Sequence, residues 1–196
     1  MERFLIAVLV HRYLAKTRIF MMSNLACLLI FPSFFLGCSN QYYYSTKSTY
    51  DEFNQQEHTY MVYNRLDGAE GTLDLNLHRI KRPNGEVRFY LEVSYTNNDW
   101  LFIEEGKSLV LLIDGKKHEL EGEGSQRYRE VVLVLTYGSI INERADYDCP
   151  DVVLIHSIAN ASIVKVRLIG SSYYSDHQLT AKNKKNFSDF LARYSK

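Results

Sequence analysis

The residue types that most often do chemistry in proteins are scattered singly along this 196-residue chain. Its histidines form no His-Glu-x-x-His pair, the spacing with which two imidazoles on one helical face hold a catalytic zinc ion. No serine stands in a Gly-x-Ser-x-Gly turn, the frame that exposes a nucleophilic hydroxyl. His78 and His118 fall on predicted strands, where a solvated strand face explains them better than a metal site. The sequence therefore predicts no metal site, no cofactor and no enzyme.

Two residues are the candidates for a binding patch, Trp100 and Arg129. Trp100 is the only tryptophan, and it either forms an exposed platform for a ligand or anchors the core. Arg129 is one of four arginines that either bind carboxylate or phosphate groups or pair with the acidic residues: Arg127, Arg129, Arg144 and Arg167. These alternatives stay open at the level of sequence.

The remaining chemistry-bearing residues have simpler explanations. Glu119, Glu121 and Glu123 alternate and could bind Ca²⁺ together with Asp114, but an acidic solvated strand face accounts for them. Cys149 is the only cysteine after residue 38, so the part of the chain that follows has no pair for a disulfide. A nucleophile or an intermolecular link is one interpretation of Cys149, and a small half-buried residue next to a helix is the favoured one.

Residues 19–38, IFMMSNLACLLIFPSFFLGC, form an apolar run that follows four basic residues and one acidic residue. Its mostly apolar stretch, 25–36, has 12 residues, whereas a helix that crosses a bilayer needs about 20. A basic segment, a short apolar segment and a small residue at the end are typical of an export signal. The sequence therefore predicts a signal peptide over 1–37, with an uncleaved anchor as the alternative.

The end of this run resembles the lipobox of bacterial lipoproteins. Gly37 and Cys38 match that motif, whereas Phe35 and Leu36 are bulkier than the residues typical of their positions. The resemblance implies that Cys38 carries acyl chains such as palmitate and tethers the protein to a membrane of the bacterial cell envelope. By resemblance to enterobacterial lipoproteins, Ser39, in place of an aspartate, favours the outer membrane where the cell has two membranes.

Composition limits the partners and the number of domains. Of the 23 basic and 23 acidic residues, four basic and one acidic precede Cys38, so the rest of the chain carries a net charge of −3. A near-neutral chain without a basic stripe is not expected to bind nucleic acid. The remaining length suits one domain with its own core.

The elements that position these residues are predicted from hydrophobic periodicity. Residues 38–58, polar and rich in tyrosine, are expected to be a lipidated cysteine and a flexible tether. Within them, the tyrosines at 42–44 could lie at the level of the lipid headgroups or form an early strand. From 59 onward apolar and polar residues alternate, as in 73–78 and 87–96, and Asn84-Gly85 predicts a hairpin between those runs. Pro150-Asp151 predicts a helix over the next ten residues, and Phe187, Phe190, Leu191 and Tyr194 give a terminal helix one apolar stripe. The prediction is a single mainly β domain over 59–196, an antiparallel β-sandwich or open barrel of about seven or eight strands with a short helix and a C-terminal helix.

Several stretches in this order resemble a family of uncharacterised bacterial secreted or lipid-anchored β-rich domains. The resemblance covers roughly residues 70–195, and it rests on DWLFI (99–103), LIDG (112–115), GEGS (122–125), ANASIVKVRLIG (159–170) and NFSDF (186–190). It implies a β-rich domain with a short helix before the Lys-Val-Arg strand and a closing helix. It implies no activity, ligand or catalytic residue.

The functional prediction is a non-enzymatic envelope lipoprotein that serves as an interaction or structural module, with the membrane and another envelope protein as partners. An envelope hydrolase is the first alternative, and a pocket that gathers Glu104, His118, Arg129 and Tyr137 would favour it. A small-ligand-binding domain is the second, and an exposed Trp100 ring would favour that function.

Overall fold

The computed structural model describes residues 43–68, 71–126, 128–134, 138–149 and 151–195, which contain eleven strands and two helices. The strands are β1 (Ser45–Asp51), β2 (Gln56–Val62), β3 (Arg65–Gly68), β4 (Thr72–Lys81), β5 (Val87–Asn97), β6 (Gly106–Ile113), β7 (Lys116–Gly122), β8 (Arg129–Val134), β9 (Gly138–Cys149), β10 (Val164–Ile169) and β11 (Tyr174–Gln178). The helices are α1 (Val152–Asn160), between β9 and β10, and α2 (Ala181–Tyr194), after β11.

All strand pairs are antiparallel, and together they form one curled sheet. In it β4, β3, β11, β10, β6, β7, β9 and β5 are successive neighbours, and β5 also pairs with β4. Two of these contacts are short, since two residue pairs join β3 to β11 and a single pair joins β7 to β9. The sheet therefore curls around its core and is not closed into a barrel. Strands β1 and β2 extend it beyond β4, and β8 extends it beyond β9.

The core lies on the inner face of this sheet, where the predicted alternation holds. Phe89, Leu91, Val93 and Tyr95 of β5 are each at most 8% exposed, and Leu73, Leu75 and Leu77 of β4 are fully buried. The Asn84-Gly85 turn joins these two strands, with Gly85 at φ +84°, a conformation that glycine adopts without strain. The mainly β antiparallel fold with two helices is therefore confirmed.

The structure corrects the predicted tether from Ser45 onward. Residues 45–51 form β1 and pair along their whole length with β2, whose own residues 57–60 pair with β4. The described compact unit accordingly begins at Tyr43 rather than at residue 59. The early strand, which was one alternative for 42–44, begins only after them at Ser45, and β1 to β3 raise the strand number above the predicted seven or eight.

The outer face of β4 is also more buried than its alternating pattern predicts. Asp74, Asn76 and His78 are at most 7% exposed, although they point away from the core. The rings of Tyr60 and Tyr90 flank His78 on the neighbouring strands, with centroids 5.2 Å and 4.6 Å from the imidazole. The solvated position predicted for His78 is therefore wrong.

Both helices lie near their predicted positions. In α1 Asp151 is the N-cap, since its carboxylate accepts from the backbone N–H of Val153 at 2.7 Å. In α2 the predicted stripe is buried, with Phe187, Phe190 and Leu191 at most 3% exposed. Pro150 lies outside the described residues.

A buried amide network fixes α2 against the sheet. Asn64, fully buried after β2, accepts hydrogen bonds at its side-chain oxygen from the amides of Asn183 and Asn186, at 3.0 Å and 2.9 Å. Its own side-chain N–H₂ donates to the carbonyl of Leu75 at 3.0 Å. Because buried amides left unpaired are costly, this network specifies one docking position for the helix.

The predicted signal peptide and Cys38 lie outside the described residues. Within the part of the chain that the structure describes, neither helix has the length and hydrophobicity needed to cross a bilayer.

Candidate functional site

The loop between β5 and β6 carries the tryptophan that the sequence singled out. We call residues 98–105 the aromatic loop, because the rings of Trp100 and Phe102 stack within it, with centroids 5.5 Å apart and planes 19° from parallel. Trp100 is half-buried, whereas Phe102 is 40% exposed. The two rings form a continuous aromatic surface of which Phe102 is the more accessible part.

The buried carboxylate of Glu143 binds the backbone of this loop. Oε1 of Glu143, on β9, accepts from the backbone N–H groups of Leu101 and Phe102 at 2.6 Å and 3.0 Å. Its Oε2 accepts from the N–H of Ile103 at 3.1 Å and from the hydroxyl of Ser125 at 2.6 Å. Glu143 is fully buried, so these four donors replace the hydration that its charge loses.

Backbone contacts hold the aromatic loop from the side of β10. The N–H of Ser171 donates to the carbonyl of Phe102 at 3.1 Å, and the N–H of Glu104 donates to the carbonyl of Ile169 at 3.3 Å. Between them Gly170 lies so close to the loop that a Cβ there would be 2.0 Å from the carbonyl oxygen of Leu101. The carboxylate and the backbone contacts together hold the loop on two sides.

Arg129, at the start of β8, meets the same loop. Its Nε donates to the Ser125 hydroxyl at 3.2 Å and lies 4.0 Å from Oε2 of Glu143. The guanidinium carbon lies 4.9 Å from the centroid of the Phe102 ring, a cation–π contact. The structure thus brings the two predicted binding residues together through Phe102, and we call Trp100, Phe102 and Arg129 the aromatic–arginine patch.

The backbone of Phe102 is strained in this arrangement. Its φ is +54°, a left-handed conformation that is costly for a bulky residue and is kept only where surrounding contacts enforce it. Here the enforcing contacts are the hydrogen bonds to Glu143 and Ser171, and their result is an exposed aromatic ring under an arginine.

Val131, two residues beyond Arg129 on the same side of β8, is 49% exposed and extends the apolar surface. Aromatic and arginine side chains held in this way are typical of protein-binding surfaces.

The other arginines pair with acidic residues. Arg144 lies 3.5 Å from the carboxylate of Glu92, and Arg167 makes two hydrogen bonds of 2.7 Å to Asp176. Arg127 lies outside the described residues. The second interpretation of the arginines, charge pairing, therefore applies to these two, and in part to Arg129, whose Nε lies 4.0 Å from Glu143.

Glu104, His118, Arg129 and Tyr137 would favour a hydrolase if they lined one pocket. The members of this group that the structure describes do not share a pocket. Glu104 is exposed on the aromatic loop, whereas His118 lines a separate cleft beside α1, and Tyr137 lies outside the described residues. Cys149 is 2% exposed at the end of β9, and burial raises the pKa of its thiol to about 12, with the charges of Asp151 and Asp148 adding to the effect. A group with that pKa is a poor nucleophile, which agrees with the packing role favoured for Cys149.

The acidic strand face does not form a calcium site with Asp114. The Asp114 carboxylate instead accepts from the backbone N–H groups of Ser162 and Ile163, at 3.1 Å and 2.8 Å. Glu119 lies 3.6 Å from the ammonium of Lys107 and 2.5 Å from that of Lys117. Among the residues described, no three His, Cys, Asp or Glu side chains form a group that could hold a metal ion.

Sequence reasoning missed Glu143, the residue that fixes the site. A usable signal exists in β9, because the positions that alternate with it, Ile141, Ala145 and Tyr147, are apolar and buried. A charged residue in register with an apolar strand face indicates a buried carboxylate that needs several donors.

Comparison of the chain with protein-family models, with curated proteins and with solved structures found no match. The family resemblance described above therefore stays a prediction.

Proposed function

We propose that this protein is a lipid-anchored, non-enzymatic module of the bacterial cell envelope that binds another envelope protein through the aromatic–arginine patch. The proposal combines the export and lipidation pattern of residues 1–38 with the geometry of the aromatic loop. The observation that carries it is the Glu143 carboxylate, whose four hydrogen bonds present Phe102 in a strained, exposed conformation.

Pre-organisation is what makes this surface suited to binding. A loop that is already fixed loses little conformational entropy when a partner docks on it. The guanidinium of Arg129, stacked on Phe102, is oriented to pair with a carboxylate of the partner, while the aromatic rings contact an apolar group. The partner surface that fits the patch therefore carries an acidic residue, to pair with Arg129, next to an apolar pocket that receives the aromatic rings.

The anchor is tested by metabolic labelling with radioactive palmitate. We expect the wild-type chain to incorporate the label and Cys38→Ala to lose it completely, since that thiol is the proposed attachment point. Cys149→Ala is the matched control and keeps the label, because Cys149 is buried within the domain. Labelling that persists in Cys38→Ala would contradict the anchor.

The binding surface is tested by photo-crosslinking in intact cells. A photoreactive phenylalanine analogue at Phe102 is expected to give a discrete crosslinked product, and Arg129→Ala in the same background should weaken binding about tenfold or more. The control places the analogue at Val153, which is 61% exposed on α1 and is not part of the patch. Equal products from both positions, or a product that Arg129→Ala leaves unchanged, would show that the patch is not the binding surface.

A small-ligand-binding domain is the second candidate, and one cleft favours it. This cleft of about 770 Å³ lies over β6 and β10, within the size range of ligand pockets. Val110, Leu112 and Ile169 line it together with Lys165 and Arg167. Asp67 and Asp176 also line it, and Arg167 is paired with Asp176, so the lining suits a ligand with an apolar body and a few polar groups.

A further inference from the structure

Three side chains that the proposed function does not use converge on the outer face of the sheet. Nε2 of His58, on β2, lies 3.0 Å from Nδ1 of His78, on β4. The hydroxyl of Tyr90, on β5, lies 3.1 Å from the same Nε2. Strand pairing brings them together. His78 on β4 lies opposite Tyr90 on β5, and His58 on β2 lies opposite Ile80, which is two residues from His78 and on the same face of β4.

Nε2 of His58 can hydrogen-bond to both of its partners only through a shared, three-centre bond. A ring nitrogen of imidazole has one position in the ring plane, which holds either a proton to donate or a lone pair to accept. Here Nε2 has two close partners, the nitrogen of His78 and the oxygen of Tyr90. One in-plane position cannot serve both fully, whereas a positive ion among the three atoms would interact with a lone pair from each.

The distances suit such an ion. Two nitrogens 3.0 Å apart, each about 2.05 Å from a shared metal ion, subtend an angle of about 95° at the ion. That angle is close to the value between neighbouring ligands in square-planar and octahedral sites, and a tetrahedral site would need the atoms about 3.3 Å apart. The 3.1 Å between His58 and Tyr90 gives nearly the same angle.

A carboxylate lies behind His78. The other ring nitrogen of His78, Nε2, is buried without a hydrogen bond, and it lies 3.9 Å from the carboxylate of Glu92. Glu92 is itself held by Asn76 at 3.4 Å and by Arg144 at 3.5 Å. A carboxylate that accepts a hydrogen bond from a ligand histidine orients the ring and makes it a stronger ligand, and Glu92 is the carboxylate placed to accept it once it moves closer.

An acidic cleft borders Tyr90. Tyr90 lines this cleft of about 440 Å³ together with Glu121, Glu123, Asp146 and Asp148, and with Arg88, which is paired with Asp148. Four acidic residues and one arginine give the lining a negative charge, which attracts cations.

We propose that His58, His78 and Tyr90 form a binding site for a divalent transition-metal ion, with Nε2 of His58, Nδ1 of His78 and the phenol oxygen of Tyr90 as ligands. Imidazole nitrogens suit Cu²⁺, Zn²⁺ and Ni²⁺, and Cu²⁺ binds most tightly of these to a given set of ligands. Water or a group from the cleft completes the coordination. This site is separate from the aromatic–arginine patch and does not depend on the proposed function.

The test uses the full chain, stripped of metal with a chelator and dialysed against Cu²⁺ or Zn²⁺. We expect one ion per chain, bound with Cu²⁺ tighter than Zn²⁺ and not displaced by excess Mg²⁺. His58→Gln should weaken binding by about 100-fold or more, because even partners behind the ligands contribute roughly 10- to 100-fold. His156→Gln is the matched control and leaves affinity unchanged, since His156 is exposed on α1.

Tyr90→Phe supplies an independent readout, because it keeps the ring and removes only the oxygen. The copper-loaded wild-type chain should show a phenolate-to-copper charge-transfer band, and the Tyr90→Phe chain should lack it. Equal affinity in wild type and His58→Gln, or no binding by the folded wild-type chain, would overturn the proposal. If circular dichroism shows that His58→Gln is unfolded, the band decides: its loss in Tyr90→Phe supports the site, and its persistence or its absence from wild type refutes it.

Discussion

Replacing Glu143 with alanine is expected to lower the free energy of unfolding by about 3–5 kcal/mol. The substitution leaves the backbone N–H groups of Leu101, Phe102 and Ile103 without their acceptor, in a place where Leu101 and Ile103 are at most 1% exposed. Each buried donor that loses its partner costs about 1–3 kcal/mol, and water entering the space recovers part of the sum. Urea denaturation followed by far-UV circular dichroism measures the change.

Two variants control for this result. Glu143→Gln keeps the shape and one oxygen acceptor but turns N–H₂ towards donors, so we expect roughly half of the loss. Glu104→Ala removes a carboxylate from the exposed side of the same loop and should change stability by less than about 0.5 kcal/mol. If Glu143→Ala were as stable as Glu104→Ala, the carboxylate would not be what holds the aromatic loop.

Gly170→Ala is expected to destabilise the protein by about 2–3 kcal/mol and to move the aromatic loop. The added Cβ would lie 2.0 Å from the carbonyl oxygen of Leu101 and 2.7 Å from its Cγ. Backbone atoms cannot rotate away as a flexible side chain can, and the N–H of Leu101 is bound to Glu143. Denaturation measures the stability, and the fluorescence of Trp100, the only tryptophan, reports the movement.

Ser171→Ala is the matched control for Gly170→Ala. It changes an exposed side chain at the next position and keeps the backbone N–H that donates to Phe102, so stability and fluorescence should stay close to wild type. The double variant Glu143→Ala/Gly170→Ala should lose less free energy of unfolding than the two single variants lose together, because both substitutions act on Leu101. Wild-type fluorescence and stability in Gly170→Ala would mean that the loop is free to yield at this point.

The early part of the domain shows where local pattern fails as a predictor. Residues 45–51, STKSTYD, have little hydrophobicity and no clear alternation, and they are largely exposed in the structure as well. They form β1 because the ladder with β2 satisfies their backbone groups, not because they bury side chains. A polar edge strand and a tether therefore have similar sequences.

His78 shows the opposite failure. The alternation of β4 correctly placed Leu73, Leu75 and Leu77 in the core, but it assigned His78 to solvent. Alternation states which face a side chain is on, and not what covers that face. The rings of His58 and Tyr60, from β2, and of Tyr90, from β5, cover it, and the pattern of β4 by itself does not show which side chains those neighbouring strands place there.

The fold class, the hairpin at Asn84-Gly85, both helices and the core faces of the long strands could be predicted from the sequence, because periodicity and turn chemistry act over a few neighbouring residues. Trp100 and Arg129 could likewise be named as binding candidates. How these two are joined could not be predicted, because it depends on Glu143, which binds residues 101–103 although they precede it by about 40 positions. A buried charge depends on donors that strand pairing delivers from a distance, and no local pattern encodes that pairing.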